Sequence, residues 1–342
     1  MSGLCPETSR GDSRKASRRL EVWCRVKQAP SNANAALQAL LDQEGVPVLV
    51  RFFSQAPPES YGLPAHGQRT SVAWTWESCP DAIDDATLWL QQLNELGSDT
   101  CVAWANDIDV PTPYRLHQTM KALELAEMVH GSQTPLLVHS DAFLCSLEGV
   151  LLQSSWWKHQ RASLPPKDLL KWMVEPGVLA ASMMVNPALA ALLRSCPQEC
   201  SWEQWVAAVA TCTGQVISLH EPLIFWCEQP GRVPSGRPLG ERLFMGLPCS
   251  WREGLVRWRR AANRARALLE HDVLGPQAEL LKTLGQWEQL SRLQRAAVLW
   301  RWRSQFLRSR WGWAQLLWSL LLDRNHMSCR VLTPRGTVLL GR

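Results

Sequence analysis

Apolar positions in the first two thirds of the chain fall into two alternating patterns. Short runs rich in apolar and β-branched residues, Leu20 to Val26, Val46 to Phe53, Thr70 to Trp76, Thr100 to Ala105 and Pro135 to Ser140, read as strands. Between them lie stretches with helical spacing. Asn34 to Gln43 sets Leu37, Leu40 and Leu41 on one face, and Asp81 to Leu96 is amphipathic with an acidic first turn and Gly97 after its last turn. Pro113 to Val129 sets Leu116, Met120, Leu123 and Met128 roughly on one side. Ser54 to Gln68 carries Pro, Gly and Ser and reads as a loop. Strands separated by helices of this length predict right-handed βαβ units and a parallel sheet.

After a variable stretch from Leu147 to Pro176, a small strand is expected at Leu179 to Val185 and helices at Pro187 to Arg194 and Trp202 to Thr211. Gly214 then leads into a strand at Gln215 to Leu219. Gln229 to Gly240 is rich in Pro, Gly and Arg and reads as a linker. Ser250 to Asp323 is helical in pattern, broken near Gly275 and Pro276. The domain organisation expected is a disordered basic segment at 1–19, a catalytic domain at 20–240 and a helical extension at 250–325.

Composition narrows the class. The 342 residues are 46% hydrophobic and 20% charged, enough for a large core. The net charge of +5 is mild and is no nucleic-acid signature by itself. Eleven cysteines include no CxxC pair, and an odd count in a chain that opens without an apolar leader argues against a disulfide framework. No uncharged apolar run of about 18 residues occurs, so no transmembrane helix is expected. Nineteen tryptophans suit core packing, sugar stacking or a membrane interface, and composition does not choose among these.

Five segments in order resemble the family 2 glycosyltransferases of the bacterial rhamnosyltransferase-like kind, over about Leu20 to Trp226. They are "ALQALLDQEGVPVLVR", "AWANDIDVPTPYRL", "PLLVHSDAFL", "ASMMVNPALAALL" and "SWEQWVAAVATCTGQVISLHEPLIFW". Each is weak alone; the order is what carries the resemblance. It implies an α/β fold of the GT-A nucleotide-diphospho-sugar transferase kind, with a mostly parallel sheet, plus the α-helical C-terminal extension. It implies a nucleotide-diphosphate sugar donor, a glycan or lipid-linked acceptor in cell-envelope or polysaccharide synthesis, and a divalent Mn²⁺ or Mg²⁺.

Under that resemblance Asp107 and Asp109 are the DxD-type metal ligands. Arg51, Asn106 and Asp107 are the nucleotide contacts, and Glu203 is the base of an inverting transfer. The chemistry is coherent. Two hard oxygen donors at the carboxyl end of a parallel strand suit a cation bridging phosphates, and an acceptor hydroxyl needs a carboxylate to take its proton. The residues also allow plainer roles. The alternative for Asp107 and Asp109 is an acidic turn stopped by Pro111 and Pro113, and for Glu203 a first-turn residue behind a Ser201 cap.

Several positions depart from the family pattern. Asn106 and Ile108 stand where it often has an acidic residue, and Phe52 and Phe53 where it usually has aspartates that grip the nucleoside. Those rings either stack on a base or pack in the core. Arg25 and Lys27 either offer charge to phosphates or are solvated, and His139, Asp141 and Glu221 read as structural. Near Gln229, where the family often has a basic residue, only Arg232 and Arg237 follow.

The Arg/Trp-rich tail "WRWRSQFLRSRWGWAQLLWSLLLD" either packs its apolar side on the catalytic domain or lies in a membrane interface beside anionic lipid. The expected location is cytoplasmic, with peripheral contact on the inner membrane face as an option and no nucleic-acid partner. The rival to an active enzyme is a catalytically inactive relative kept as a binding or scaffold protein.

Overall fold

The computed structural model describes residues 18–27, 29–146, 148–160, 169, 178–197, 200–227, 260–270 and 278–301, and the backbone of 332–333 and 336–337. The N-terminal segment, the linker at 229–240 and the Arg/Trp-rich tail beyond 301 fall outside these residues, as do the expectations attached to them.

The described chain runs β1 (Arg19–Arg25), α1 (Pro30–Leu41), β2 (Val48–Ser54), β3 (His66–Arg69), β4 (Val72–Ser78), α2 (Asp85–Asn94), β5 (Thr100–Asn106), β6 (Val110–Pro111) and α3 (Arg115–His130). It continues through β7 (Leu136–Cys145), β8 (Leu151–Gln153), α4 (Trp156–Gln160), β9 (Met183–Val185), α5 (Pro187–Ala190), α6 (Trp202–Thr213) and β10 (Gln215–Cys227). Helices α7 (residues 260–270), α8 (Ala278–Gly285) and α9 (Arg292–Arg301) follow, then a short hairpin of β11 (Leu332–Thr333) and β12 (Gly336–Thr337). No helix of the described residues is long and apolar enough to cross a membrane.

The chain divides into two compact units. One comprises Met1–Trp156, Val178–Cys196 and Gly214–Gln229, and the other Trp157–Gly177, Pro197–Thr213 and Pro230–Arg342. The first holds the large sheet, ordered β3-β4-β2-β1-β5-β9-β7-β10-β6 with β8 on β7. The fold is therefore α/β with a largely parallel sheet, as the alternation predicts. β4, β2, β1 and β5 pair in parallel, and β7 pairs in parallel with β10. β9 runs antiparallel between β5 and β7. β3 and β6 are antiparallel edges.

Alternation along β1 decides which residues meet which layer. Leu20, Val22, Cys24 and Val26 share a core with Val50 and Phe52 of β2, with Leu37 and Leu40 of α1, and with Leu116, Met120 and Leu123 of α3. On the other face Trp23 stacks on Trp89 of α2 at 6.1 Å and meets Trp104 of β5 edge-on at 6.2 Å, while Phe53 meets Trp89 edge-on at 5.8 Å. Sheet and helices are thus closed by apolar packing on both faces, which is what a central parallel strand requires.

Helix starts follow local chemistry. Pro30 sits in the first turn of α1, where its missing N–H is no loss. Asp84 caps α2 by accepting from the Thr87 amide at 2.9 Å. Asn186 caps α5 through Leu189 and also accepts from the Leu136 amide at 2.9 Å, tying β7 to β9's end.

Some expectations are corrected. The Ser54 to Gln68 loop contains a 3₁₀ turn at Pro58–Tyr61 and the edge strand β3. β7 runs on past Ser140 to Cys145, and β10 past Leu219 to Cys227. α5 stops at Ala190 rather than Arg194. Met128 is 76% exposed and so is not part of the α3 core stripe.

Candidate functional site

Strand order reverses beside β1. The chain moves outward from β1 through β2 to β4, then returns by α2 to place β5 on β1's other side. The carboxyl ends of β1 and β5 therefore flank a topological switch point, where open α/β sheets form a ligand crevice. Register puts Arg25 of β1 opposite Phe53 of β2 and Asn106 of β5.

The turn after β5 carries the expected acidic pair. Asn106 Oδ1 accepts from the amides of Ile108 at 3.1 Å and Asp109 at 2.6 Å, folding the turn back on itself. Asn106 Nδ2 donates to Asp109 Oδ2 at 2.6 Å, and the Cys227 amide donates to Asp109 Oδ1 at 3.2 Å. Asp107 Oδ2 accepts from the Lys27 amide at 2.5 Å, which fastens the end of β5 to the end of β1. Both aspartates are buried.

A cation on a diphosphate takes one or two carboxylates and fills its shell with phosphate and water oxygens. Both oxygens of Asp109 already accept protein hydrogen bonds. Among the described residues no group of three or more His, Cys, Asp or Glu side chains is arranged to hold a metal ion. Asp107 and Asp109 thus lie in one turn at the carboxyl end of β5, with Asp109 already held by Asn106 and the Cys227 amide.

Behind the turn, Arg115 is buried and donates through Nη2 to the Trp104 carbonyl at 2.8 Å. Burial pulls its pKa down to about 10, with the nearby Cys24 and Asp109 acting in the opposite sense. It remains a cation at neutral pH.

Next to the switch point lies a cavity of ≈ 210 Å³, lined by Val26, Lys27, Ser54, Gln55, Ala56, Tyr61 and Asp81. Its walls come from the segments that follow β1, β2 and β4. The Tyr61 ring packs on Trp76 at 5.1 Å, and Trp76 Nε1 donates to the Ala56 carbonyl at 3.1 Å, so the loop after β2 is braced against β4. Lys27 Nζ pairs with Asp85 at 2.7 Å at the start of α2. Sequence reasoning did not single out Ser54, Gln55, Tyr61 or Asp81. The available signal was position alone: each lies at or beyond the carboxyl end of a parallel strand.

The other expected site residues have different surroundings. Arg51 donates to Glu77 at 2.7 Å and lies 3.7 Å from Glu21. Burial alone would lower its pKa, but the hydrogen bond and charge of Glu77, with Glu21, raise it on balance. Its guanidinium is engaged on the α2 face of the sheet, 5.5 Å over the Phe53 ring. Phe52 and Phe53 are fully buried, Phe52 against Trp76 at 5.3 Å, which selects the packing role over base stacking. Arg25 is buried rather than solvated. His139 is buried in β7, with Nε2 2.8 Å from Ser218 Oγ, as a structural histidine would be.

Glu203 belongs to the second unit, in the first turn of α6, whereas Asp107 and Asp109 belong to the first. Within the second unit the buried Arg264 of α7 donates to Gln204 and feels the Glu203 charge.

No family model matches the chain, and no curated protein does. Solved structures resemble it in chain path. Staphylococcus aureus TarS 1-349 aligns with a TM-score of 0.43 and 11% identity over 72% of this chain and 65% of that one. TarS 1-349 in complex with UDP-GlcNAc aligns at 0.45 and 11%, over 88% and 89%. Glucosyl-3-phosphoglycerate synthase from Mycobacterium tuberculosis, in complex with Mn²⁺, UDP and glucosyl-3-phosphoglycerate, aligns at 0.39 and 12%, over 67% and 80%. At such values the likeness carries nothing about chemistry.

Proposed function

We propose that this chain is a glycosyltransferase of the GT-A kind, which binds a nucleoside-diphosphate sugar in the crevice at the carboxyl ends of β1, β2 and β5. One observation carries the reading: a cavity of ≈ 210 Å³ opens beside the switch point, next to the turn that holds Asn106, Asp107 and Asp109. A cavity with an aromatic wall at Tyr61 and polar groups at Ser54, Gln55 and Asp81 suits a nucleoside. Asp107 and Asn106 then face the ribose or diphosphate side.

In the transfer, the acceptor oxygen forms a bond to the anomeric carbon as the bond to the diphosphate breaks. The bonding pair leaves on a phosphate oxygen, and a carboxylate takes the acceptor proton. Glu203 is the proposed base by the resemblance of its segment. Attack from the face opposite the leaving diphosphate inverts the anomeric centre. The proposed setting is cell-envelope or polysaccharide glycan synthesis, with a glycan or lipid-linked acceptor.

A second reading is a protein that binds the nucleotide but does not transfer. It is favoured by the engagement of Asp109 with Asn106 and Cys227 and of Arg51 with Glu77. A thermal-shift screen of nucleoside diphosphates and nucleotide sugars, followed by donor-hydrolysis and transfer assays on wild type and Glu203→Gln, separates the two. A shift of about 2.7 kcal/mol in stability is expected at 100 times Kd. Turnover that Glu203→Gln abolishes without loss of binding supports transfer. Binding without turnover supports the second reading, and no shift with any nucleotide overturns both.

A further inference from the structure

Both carboxylate oxygens of Asp109 accept protein hydrogen bonds, and the crevice must neutralise a diphosphate if the proposed function is right. We infer that Arg25 supplies that charge, so that the crevice takes its nucleotide without a divalent metal. The inference rests on the nucleotide-binding reading and adds to it a residue and a metal independence.

Arg25 is the last residue of β1, in register with Phe53 and Asn106 at the switch point. It is only 3% exposed. One of its three nitrogens is engaged: Nη2 donates to the Pro80 carbonyl at 2.9 Å. Nε and Nη1 are buried and find no hydrogen-bond partner among the described residues. A guanidinium cannot shed its proton to escape the cost of burial, as a lysine can. A buried cation with two idle nitrogens is therefore expensive unless an anion joins it.

The sequence position makes this more telling. Arg25 lies two residues after Trp23, on the face where Trp23, Phe53, Trp89 and Trp104 pack, and an apolar side chain would satisfy that packing. The nearby groups also point to an anion. Val26 and Lys27, which line the cavity, follow Arg25 directly, and Pro80, which Arg25 holds, precedes the lining residue Asp81. Lys27 is already paired with Asp85 on the surface. Asp81 and Asp107 would repel a diphosphate, so a cation is needed to offset them. The planar fork of an arginine matches two phosphate oxygens at once.

The test is isothermal titration of the full chain with uridine, guanosine, adenosine and thymidine diphosphates and with inorganic pyrophosphate. Each is run in EDTA and again in Mn²⁺, on wild type, Arg25→Gln and Arg25→Lys, with melting temperatures recorded without ligand. Expected are binding in EDTA that Mn²⁺ does not improve, a loss of about tenfold or more in Arg25→Gln as one charge-assisted contact disappears, and a smaller loss in Arg25→Lys. The ligand-free melting temperature of Arg25→Gln should be unchanged or higher, because an uncompensated buried charge is gone.

Binding that appears only with Mn²⁺, or that survives in Arg25→Gln, overturns the role of Arg25 and leaves nucleotide binding standing. A large drop in ligand-free melting temperature with unchanged affinity, or failure of both variants to fold, makes Arg25 a structural residue and also overturns it. No binding by wild type in either condition removes the nucleotide-binding reading itself.

Discussion

Asn106 and Asp109 hold each other: the side-chain amide of Asn106 donates to Asp109 at 2.6 Å while its oxygen accepts the Asp109 backbone amide at the same distance. With the Cys227 amide on the second carboxylate oxygen, Asp109 joins the β5 turn to the end of β10. Asp109→Ala should therefore lower stability in metal-free buffer by about 2–4 kcal/mol, as buried donors lose a charged acceptor. Urea unfolding in EDTA measures this. An unchanged midpoint would mean that Asp109 is not a structural latch.

His139 makes the fold sensitive to acid. Burial, with a contribution from His220, pushes its pKa down to about 3 from an ordinary 6.5. The neutral ring is the native form, so its contribution is fully present above about pH 6.5 and is lost progressively as pH falls toward 3. Over that window the unfolded chain binds the extra proton, and stability falls by up to about 1.4 kcal/mol per pH unit. Urea midpoints at pH 7 and 5 should differ in wild type and differ less in His139→Gln. Equal slopes in the two proteins would refute the assignment.

Gly214 lies where no side chain fits. A Cβ there would come within 1.8 Å of the Pro135 carbonyl oxygen, just where β10 begins to pair with β7. The contact is with backbone, so it cannot be relieved by a rotamer change. Gly214→Ala is expected to cost about 3 kcal/mol, read as a lowered melting temperature. A melting temperature within a degree of wild type would show that the strand can shift to make room.

Asp84 offers a milder test away from the crevice. Its carboxylate accepts from the amide and hydroxyl of Thr87 at 2.9 and 2.7 Å, capping α2. Asp84→Ala should cost about 1 kcal/mol, and Asp84→Asn much less. Chemical denaturation of the pair decides it. Equal losses would point to charge rather than capping as the contribution.

The central strands were legible because each is a buried apolar run: β1, β2, β4, β5 and the start of β7 announce themselves. β3 and β8 are short and mostly exposed, so no apolar pattern marks them. β10 was cut short because His220, Glu221 and Pro222 interrupt it, and the register shifts on both sides of Pro222 accommodate that interruption. Met128 failed as a core residue because a step of five from Leu123 turns a helix by about 500°, roughly 140° off the stripe.

At the proposed site, the spacing of Asp107 and Asp109 pointed to the turn after β5, but could not say that Asn106 at the strand's end would occupy Asp109. The burial of Arg25 was readable from its parity with Trp23. Its idle donors depend on where Pro80 and Asp107 lie, and no local pattern encodes that.

The small strand β9 has a consequence for the order of assembly during synthesis. The block of β4, β2, β1 and β5 has every strand once residue 106 has emerged. β7 cannot join it directly, because Val102 and Ala103 pair with Val185 and Met184, which pair in turn with Leu137 and Val138. The nascent chain must therefore hold β7 aside with two open edges until residue 185 arrives to bridge them. Ribosome-bound chains ending between these points should be the ones that most need a chaperone.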